Sequence, residues 1–522
     1  MSKQLCLAEE KKLTNFTPQQ KAVIDHVQTT GKSLVVEAVA GSGKTTTIFG
    51  AIMASEKDNM CVVAFNRSIA DEFKAKLEKN KVDWKKAEAN TAHSFGLRAF
   101  KKAYKHPKVD GSKVRHIISG MIEARSGDEA AMLKKCETKI ANLVSLAKQS
   151  LIGFLTPIDD TGAWTEIGFH HDVFDDLPAS VSYDWVIQHA RTALVNSNKD
   201  TEVIDFDDMI YLPLLFKCSF WQYDIVFVDE AQDTNAARRA LVRAMLKKGG
   251  KVVAVGDRRQ AIYGFTGADA DALDLIKQDF NADELPLSVC FRCDRSIIQY
   301  AQSWVPHIEW ADEAGEGEVI DMNIEDVDWK ETSEQDVVLC RNNKPLVSLA
   351  YDLLKSGVPC YVEGRDVGTA LKKLAQKWKI KSLADLDNRL DSFLARETSK
   401  ALAQKNEGLA AMIEDRVDTL RVFMERVREK DLHTVKDLVD DIDSMFKDTK
   451  PGQRPKCITL STVHKSKGRE WNRVFWLDKE ETLPSKWARQ DWQLAQEDNL
   501  CYVASTRAEH SLVHISSPER GQ

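Results

Sequence analysis

Short apolar runs alternate with helix-like stretches in the first half of the chain. Four of these runs are rich in valine and isoleucine and have the length of buried strands: Ser33–Ala38, Cys61–Phe65, Tyr223–Asp229 and Lys251–Val255. Helical patterns follow the first three, through Ala54, over Ile69–Lys79 and through Lys248. Strands that alternate with helices are typical of a parallel α/β sheet. The segment between the second and third runs, 97–204, is mostly helical in pattern and predicts an insertion.

A second block with the same alternation begins near Gly317. Its predicted strands are Val337–Cys340, Pro359–Val362, Cys457–Ser461, Val474–Leu477 and Leu512–Ile515. Residues 371–450 carry helical spacing and many charges, so they predict a second, shorter helical insertion. The sequence therefore predicts an α/β protein with two parallel-sheet domains, one from 1–96 and 205–280, the other from 281–370 and 451–522.

Composition limits how this protein can bind nucleic acid. The chain has 522 residues, 73 Lys plus Arg and 80 Asp plus Glu, which gives a formal net charge of -7. A globally basic surface is excluded, so any such binding must use a local groove. Between Asp71 and Arg115, 13 basic residues stand against 6 acidic ones, and this stretch either follows phosphates or forms a solvated helix face.

The polar amino-terminal segment and the scattered cysteines predict a cytoplasmic protein. No apolar run approaches the ~20 residues that cross a bilayer, so no membrane association is expected.

The segment AVAGSGKT, Ala38–Thr45, follows the first predicted strand and opens a helix. It has the GK[ST] end of a phosphate-binding loop, although Ala38 stands where the general pattern has glycine. In such a loop backbone N–H groups surround the phosphates, Lys44 reaches the β and γ phosphates, and Thr45 holds Mg²⁺. The residues assigned to the nucleotide are Ala40, Gly41, Ser42, Gly43, Lys44, Thr45 and Thr46. A chance glycine-rich turn is the alternative.

Two carboxylates, Asp229 and Glu230, end the apolar run IVFVD. At that position Asp229 can hold Mg²⁺ while Glu230 orients the attacking water, as ATP hydrolysis requires. The alternative is a solvated acidic pair that opens a helix. That alternative does not explain the buried strand or the separation from Lys44, so an ATPase is favoured.

Four segments then follow in an order typical of one family: VDEAQD, VGDRRQAIYGFTGA, STVHKSKGREW and YVASTRA. In this order they resemble motifs of superfamily 1 helicases of the UvrD/Rep type, and FTPQQKAVI, VVAFNRSIADEF and TAHSF upstream are also similar to that family. The resemblance implies two RecA-like motor domains and an ATP-dependent DNA helicase that moves 3′→5′. The second insertion, of about 80 residues, is much shorter than is usual in UvrD-like enzymes.

The resemblance also implies roles for single residues. Gln20 would read the adenine edge, Phe291 would stack on adenine, and Glu470 would contact the ribose or the domain seam. Gln260 would sense the γ-phosphate, and Arg292 and Arg507 would be arginine fingers. Taken singly, each arginine is more simply a surface or ion-pairing residue. The expected catalytic set is Lys44, Asp229, Glu230, Gln260, Arg292 and Arg507.

The same comparison places several side chains on the path of the DNA strand, where aromatic faces can stack on bases. They are Phe65, Asn66, His93, Phe95, Tyr263, Phe265 and His464. Phe65 and Phe95 could instead be core residues. The family usually has Trp-Arg where this chain has Phe265-Thr266, so stacking is retained while a cationic contact is lost.

The expected cofactors are ATP and Mg²⁺, and the expected substrates are single-stranded and tailed duplex DNA. The protein is therefore expected to act where the DNA is, in a nucleoid or at a viral replication site. Replication or repair proteins are the expected partners, and the motor is expected to work as a monomer, alone or with several molecules on one strand. Two alternatives remain: a translocase that strips proteins from DNA with little unwinding, and a DNA-binding or loading adaptor that ATP only switches.

Overall fold

The computed structural model describes residues 16–171, 173–174, 177–178, 180–262, 271–363, 365–403, 407–445, 456–485, 488 and 491–517. The chain forms two compact units, Met1–Ser288 and Val289–Gln522. The first unit continues eight residues beyond the predicted boundary at 280, because a strand at Asp283–Leu287 pairs with the first sheet.

One parallel sheet forms the centre of the first unit. The strands of this unit are β1 (Leu34–Ala38), β2 (Met60–Ala64), β3 (Ala87–Thr91), β4 (Lys108–Val109), β5 (Val203–Ile204), β6 (Tyr223–Val228), β7 (Leu246–Gly256) and β8 (Asp283–Leu287). Six of them make the sheet, in the order β3-β2-β6-β7-β1-β8, and all neighbours are parallel. Their carboxyl ends therefore meet at one edge, which is where α/β sheets bind ligands.

Helices cover this sheet and build the insertion. They are α1 (Pro18–Thr29), α2 (Lys44–Ala54), α3 (Arg67–Lys79), α4 (Ala92–Ala103), α5 (Lys113–Glu123), α6 (Gly127–Gln149), α7 (Thr161–His170), α8 (Tyr183–Lys199), α9 (Asp208–Leu215), α10 (Ala236–Met245) and α11 (Ala272–Phe280). The buried faces of α5, α6 and α8 share one core with α9 and with strand residues such as Val226. The insertion thus packs directly on the sheet.

The predicted strands of the first block lie within one or two residues of the observed ones, except at β7. The helix predicted to run through Lys248 ends at Met245, and the chain enters β7 at Leu246. Two strands of the six-stranded sheet, β3 and β8, were not predicted, and neither was the short pair β4 and β5. The sequences of β3 and β8, AEANT and DELPL, mix polar with apolar residues because each strand lies at one edge of the sheet.

The second unit repeats the architecture. Its strands are β9 (Val289–Cys290), β10 (Glu309–Trp310), β11 (Glu318–Asn323), β12 (Asp336–Cys340), β13 (Cys360–Val362), β14 (Ile458–Thr462), β15 (Trp471–Leu477) and β16 (Ala508–Ser516). The last six form a parallel sheet in the order β11-β16-β15-β12-β14-β13. The predicted fold class, two parallel-sheet domains with helical insertions, is confirmed.

The helices of the second unit are α12 (Arg295–Ala301), α13 (Asn343–Lys355), α14 (Arg365–Gln376), α15 (Leu383–Ala403), α16 (Glu407–Glu429), α17 (Val435–Met445), α18 (Val463–Ser466), α19 (Lys479–Thr482) and α20 (Asp491–Ser505). The insertion consists of α14 to α17, and buried residues such as Leu386, Phe423 and Leu438 join the core of the sheet. Within the described part of the chain, no helix combines the length and apolar character needed to cross a membrane.

Candidate nucleotide site

The loop between β1 and α2 has the backbone of a phosphate cradle. Gly41 and Gly43 adopt left-handed φ angles of 66° and 76°, which side chains rarely tolerate. Ser42 ties the loop together, since its hydroxyl donates to the carbonyl of Val39 at 2.8 Å. Helix α2 starts at Lys44, so its first amides and the positive end of its dipole face this loop. Such a helix start binds anions, and the residues present fit a nucleotide phosphate.

Gln20 lies against the same loop. Its amide nitrogen donates to the carbonyl of Ser42 at 3.3 Å, and its side-chain oxygen accepts from the backbone N–H of Thr17 at 3.1 Å. A Cβ at Gly43 would come within 2.9 Å of that amide nitrogen. Gln20 therefore joins the start of α1 to the loop. Its reading of adenine stays a prediction.

Asp229 follows directly on β6 and is buried, with 4% of its surface exposed. Burial and the neighbouring Glu230 raise its pKa to about 7, while Lys44 opposes them. The ammonium of Lys44 is thus close enough to act on Asp229 from the adjoining loop. A buried carboxylate and the hydroxyl of Thr45 are oxygen ligands of the kind that Mg²⁺ prefers, so these residues fit the cation.

Glu230 stands in an uncommon backbone conformation. Its φ and ψ are 51° and 46°, the left-handed region that non-glycine residues seldom occupy. Such strain is found mainly where function requires a fixed side chain. The carboxylate is held by Gln232, whose amide nitrogen donates to it at 2.5 Å.

Gln232 links this carboxylate to the next strand. Its side-chain oxygen accepts from the backbone N–H of Asp257 at 3.1 Å, and Gln260 donates to the Asp257 carboxylate at 2.8 Å. Burial raises the pKa of Asp257, and Lys44 again lowers it. A Cβ at Gly256 would lie 2.6 Å from the Gln232 oxygen, so glycine permits this close approach. A continuous chain of hydrogen bonds therefore joins Glu230 to Gln260.

A polar pocket of about 270 Å³ lies in the same unit. Phe65 and His93 line it, and the Arg238 guanidinium lies 4.8 Å from the centre of the Phe65 ring. Burial and the charge of Arg238 lower the pKa of His93 to about 4, so His93 is neutral near pH 7. An aromatic face beside a fixed cation is suited to a base and its phosphate.

The helical insertion completes this pocket. Asp207 accepts hydrogen bonds from Ser145 at 2.5 Å and from Gln149 at 3.2 Å, and burial raises its pKa to about 6. Asn235, which follows the Asp229 segment, donates to the side chain of Gln149 at 3.3 Å. The pocket thus connects the insertion to the chain that leaves the nucleotide site.

The other residues predicted on the strand path occupy different settings. Asn66 caps α3, because its side chain accepts from the backbone N–H of Ile69 at 3.0 Å. Phe95 is 3% exposed and makes an edge contact with Tyr223. It is therefore a core residue with almost no ring surface for a base, which agrees with the alternative interpretation given for Phe95 from the sequence. Tyr263 and Phe265 lie outside the described residues.

In the second unit, Arg292 is paired with Glu470, with 2.6 Å between Nε and the carboxylate, and donates to the carbonyl of Thr506 at 3.2 Å. The neighbouring Phe291 is half exposed. Arg507 is 1% exposed and donates to the carbonyls of Val503 and Arg469 at 3.0 and 2.9 Å. These contacts hold both arginines within their own unit, and their action on a nucleotide stays a prediction.

His464 lies on α18, directly after β14. Burial and the charges of Arg341 and Lys467 lower its pKa to about 3, so its imidazole is neutral at physiological pH. Any contact with DNA would therefore use hydrogen bonding or stacking and not its charge. Its place on the strand path also stays a prediction.

Sequence reasoning gave no role to three residues that the geometry places at the site: Gln232 as a bridge, Asp257 as its partner, and Arg238 over Phe65. Asp257 ends the apolar run of β7, the strand beside β6, and this position was the available signal. Arg238 lies in the helical segment AARRALVRAM, where nothing distinguishes it from a surface arginine.

A parallel sheet with a phosphate-binding loop after β1 and buried carboxylates after β6 and β7 defines the class of P-loop α/β proteins. The model of the UvrD/REP helicase N-terminal domain matches residues 16–281, and that of the UvrD-like helicase C-terminal domain matches residues 366–519. The chain belongs to the UvrD/Rep helicase family.

Curated relatives agree with this family. The chain is 29% identical over 297 residues to the ATP-dependent DNA helicase Rep of Buchnera aphidicola subsp. Acyrthosiphon pisum, which covers 53% of this chain and 44% of the relative. It is 27% identical over 309 residues to the ATP-dependent DNA helicase PcrA of Staphylococcus epidermidis, covering 54% and 39%. The F-box DNA helicase protein 1 of Schizosaccharomyces pombe is 24% identical over 97% of this chain and 58% of its own length. The matches thus span less than two thirds of each relative.

Proposed function

We propose that this protein is an ATP-dependent DNA helicase that moves 3′→5′ along single-stranded DNA. One observation carries the ATP-driven part of the proposal: the hydrogen-bonded chain from Glu230 through Gln232 and Asp257 to Gln260. A change at the γ-phosphate can pass along these bonds, because the Gln232 side chain binds both the Glu230 carboxylate and the backbone N–H of Asp257, and the Asp257 carboxylate binds Gln260. The direction is proposed from the family. The relatives named as ATP-dependent DNA helicases support the same activity.

For hydrolysis, the loop amides and Lys44 would hold the phosphates of ATP, and Thr45 and Asp229 would hold Mg²⁺. The cation supplies charge neutralisation on the phosphoryl oxygens. Glu230 would accept the proton of the attacking water, and its strained backbone and its bond to Gln232 fix the carboxylate for that task. Arg292 and Arg507 are proposed to neutralise charge that develops during transfer.

For DNA, the pocket of Phe65, His93 and Arg238 is proposed to hold the strand. Stacking on Phe65 does not depend on the base, and Arg238 adds a phosphate contact. The neutral His93 can donate or accept a hydrogen bond without responding to pH near 7. Single-stranded and tailed duplex DNA are the proposed substrates, and replication or repair proteins the proposed partners.

ATP turnover against strand length tests this function. A motor hydrolyses ATP continuously along a strand, so turnover per protein should rise with the length of a thymidine oligomer. The variant Gln260→Ala should still bind ATP and DNA but lose most of this stimulation, whereas Gln278→Ala, at an exposed position on α11, should behave as the wild type. About one hydrolysis per binding event at every length would instead identify an ATP-switched adaptor.

A further inference from the structure

Two exposed tryptophans lie at the amino-terminal ends of strands in the first sheet, the side opposite the nucleotide loop. Trp221 precedes β6 and is 60% exposed, and Trp84 precedes β3 and is 67% exposed. The Lys85 ammonium lies 5.9 Å from the centre of the Trp84 ring, and three lysines line a groove beside Trp221. We name this surface the tryptophan–lysine edge and define it by Asn59, Trp84, Lys85, Lys86, Lys102, Lys217, Trp221 and Lys247.

Hydrogen bonds through Asn59 hold the two tryptophan segments side by side. The backbone N–H of Asn59 donates to the carbonyl of Lys85 at 3.0 Å, and its own carbonyl accepts from Asp224 at 3.0 Å. The Asn59 side chain donates to the carbonyl of Gln222 at 2.7 Å and accepts from the Trp221 indole N–H at 3.1 Å. The Trp221 ring is thus fixed at its polar corner while a large part of its surface faces solvent.

A groove of about 840 Å³ runs beside Trp221. Among the described residues that line it, the charged ones are all lysines: Lys102, Lys217 and Lys247. Lys247 is paired with Asp224 at 2.7 Å, whereas Lys102 and Lys217 are exposed. Phe154 and Phe220 add apolar wall. The groove therefore offers aromatic and apolar surface beneath positive charge.

The stretch of sequence that contains Trp84 is unusually basic for this chain. Trp84, Lys85, Lys86 and Lys102 all belong to the stretch 71–115, where 13 basic residues stand against 6 acidic ones in a protein of net charge -7. A solvated helix face explains lysines alone. It does not explain two tryptophan rings that remain exposed, one of them at a groove with apolar walls. Stacking surface beside cations suits a ligand with flat rings and negative charge.

We propose that the tryptophan–lysine edge binds single-stranded nucleic acid, with bases stacked on Trp221 and Trp84 and phosphates on the lysines. One strand, β2, separates β3 from β6, so the two tryptophan segments lie about 10 Å apart. Two aromatic platforms with lysines beside them match the way proteins hold single strands without reading sequence. An acidic peptide would use the lysines and the apolar wall but has no need of two separate stacking faces.

This site is distinct from the pocket of Phe65 and Arg238. Phe65 directly follows the carboxyl end of β2, whereas Asn59 directly precedes its amino end. A strand of five residues separates the two by roughly 17 Å. The edge would add a second hold on the strand to the proposed helicase, yet its binding can be measured without ATP turnover or unwinding.

Photocrosslinking tests the proposal directly. A thymidine oligomer of about 30 nucleotides, substituted with 5-iododeoxyuridine, should crosslink to peptides that contain Trp221 or Trp84. The crosslinks should persist in Lys44→Ala and in Phe65→Ala, so failure of the proposed helicase site and failure of the edge are distinguishable. Crosslinks confined to other peptides would overturn the proposal.

Salt dependence supplies the second measurement. Replacing Lys102 and Lys217 with Gln removes two phosphate contacts, so the slope of log affinity against log salt should become shallower by about 1.4. The matched control Lys373→Gln with Lys379→Gln changes the same charge on exposed lysines of the second unit and should leave the slope unchanged. Trp221→Ala should weaken binding at least about fivefold.

Binding of an acidic peptide that contains leucine and phenylalanine tests whether a protein segment, and not nucleic acid, occupies this surface. If the edge bound this peptide with loss on Trp221→Ala, while oligomer affinity and slope did not change in any edge variant, the surface would be a protein-docking site. That result would contradict the proposal. Thermal unfolding of each variant verifies that the fold is retained, as expected for exposed side chains.

Discussion

Lys44 acts on two buried carboxylates of the site, because its charge lowers the pKa of both Asp229 and Asp257. Lys44→Ala should therefore reduce DNA-stimulated ATP turnover by about 100-fold or more, because phosphate charge loses its main partner. The fold should survive, since the carboxylates can take up protons once the ammonium is absent. Turnover is measured beside a thermal melt, and a folded variant with wild-type turnover would refute the assignment of the loop.

His93 provides a prediction for stability against pH. Its pKa is lowered in the folded state to about 4 from an ordinary value of 6.5, so the unfolded chain binds more protons between these values. Its contribution to stability is therefore complete above about pH 6.5 and is lost as the pH falls towards 4. The melting temperature of the wild type should decline more steeply over this range than that of His93→Gln. Parallel curves for the two proteins would show that His93 is not buried as described.

The packing of helix α4 on α9 depends on a single glycine. A Cβ at Gly96 would run into the backbone carbonyl of Met209 and lie 3.0 Å from its carbonyl carbon. Gly96→Ala should therefore lower the free energy of unfolding by about 1–3 kcal/mol, because α4 and α9 must move apart. In the control Gly120→Ala, on α5, the added carbon meets nothing within 4 Å, so that change should be neutral or slightly stabilising. Equal melting temperatures for both variants would contradict the close packing.

At the scale of the elements, the sequence predicted the strands and motifs that a local pattern of residues identifies. β1, β2 and β6 are mostly apolar because helices cover both faces of the sheet. The motifs that follow β1 and β6 located Lys44, Asp229 and Glu230. The edge strands β3 and β8 lack this pattern, and Pro286 within β8 is tolerated only at an edge. The Gln232–Asp257 bridge depends on β6 and β7 being neighbours, and the stacking of Arg238 on Phe65 depends on where α10 packs. Neither follows from spacing along the chain.

For the whole molecule, we propose that a P-loop ATPase of the UvrD/Rep family drives movement 3′→5′ on DNA. The family and the nucleotide site support the ATPase, whereas direction depends on how the motor cycle grips and releases the strand. The second insertion consists of only the four helices α14 to α17 among the described residues. Because this insertion is short, we expect limited unwinding by a monomer and more when several molecules share a strand.

Unwinding of otherwise identical duplexes with a 3′ tail, a 5′ tail or no tail, in the presence of ATP and Mg²⁺, tests this claim most directly. Strand separation is followed by a fluorophore and quencher at the duplex end, with Lys44→Ala as the inactive control. We predict separation of the 3′-tailed duplex that increases with protein concentration, and little of the other two. Efficient unwinding of the 5′-tailed duplex, with none of the 3′-tailed one, would contradict the assigned direction. ATP turnover on single strands without separation of any duplex would identify a translocase that does not unwind.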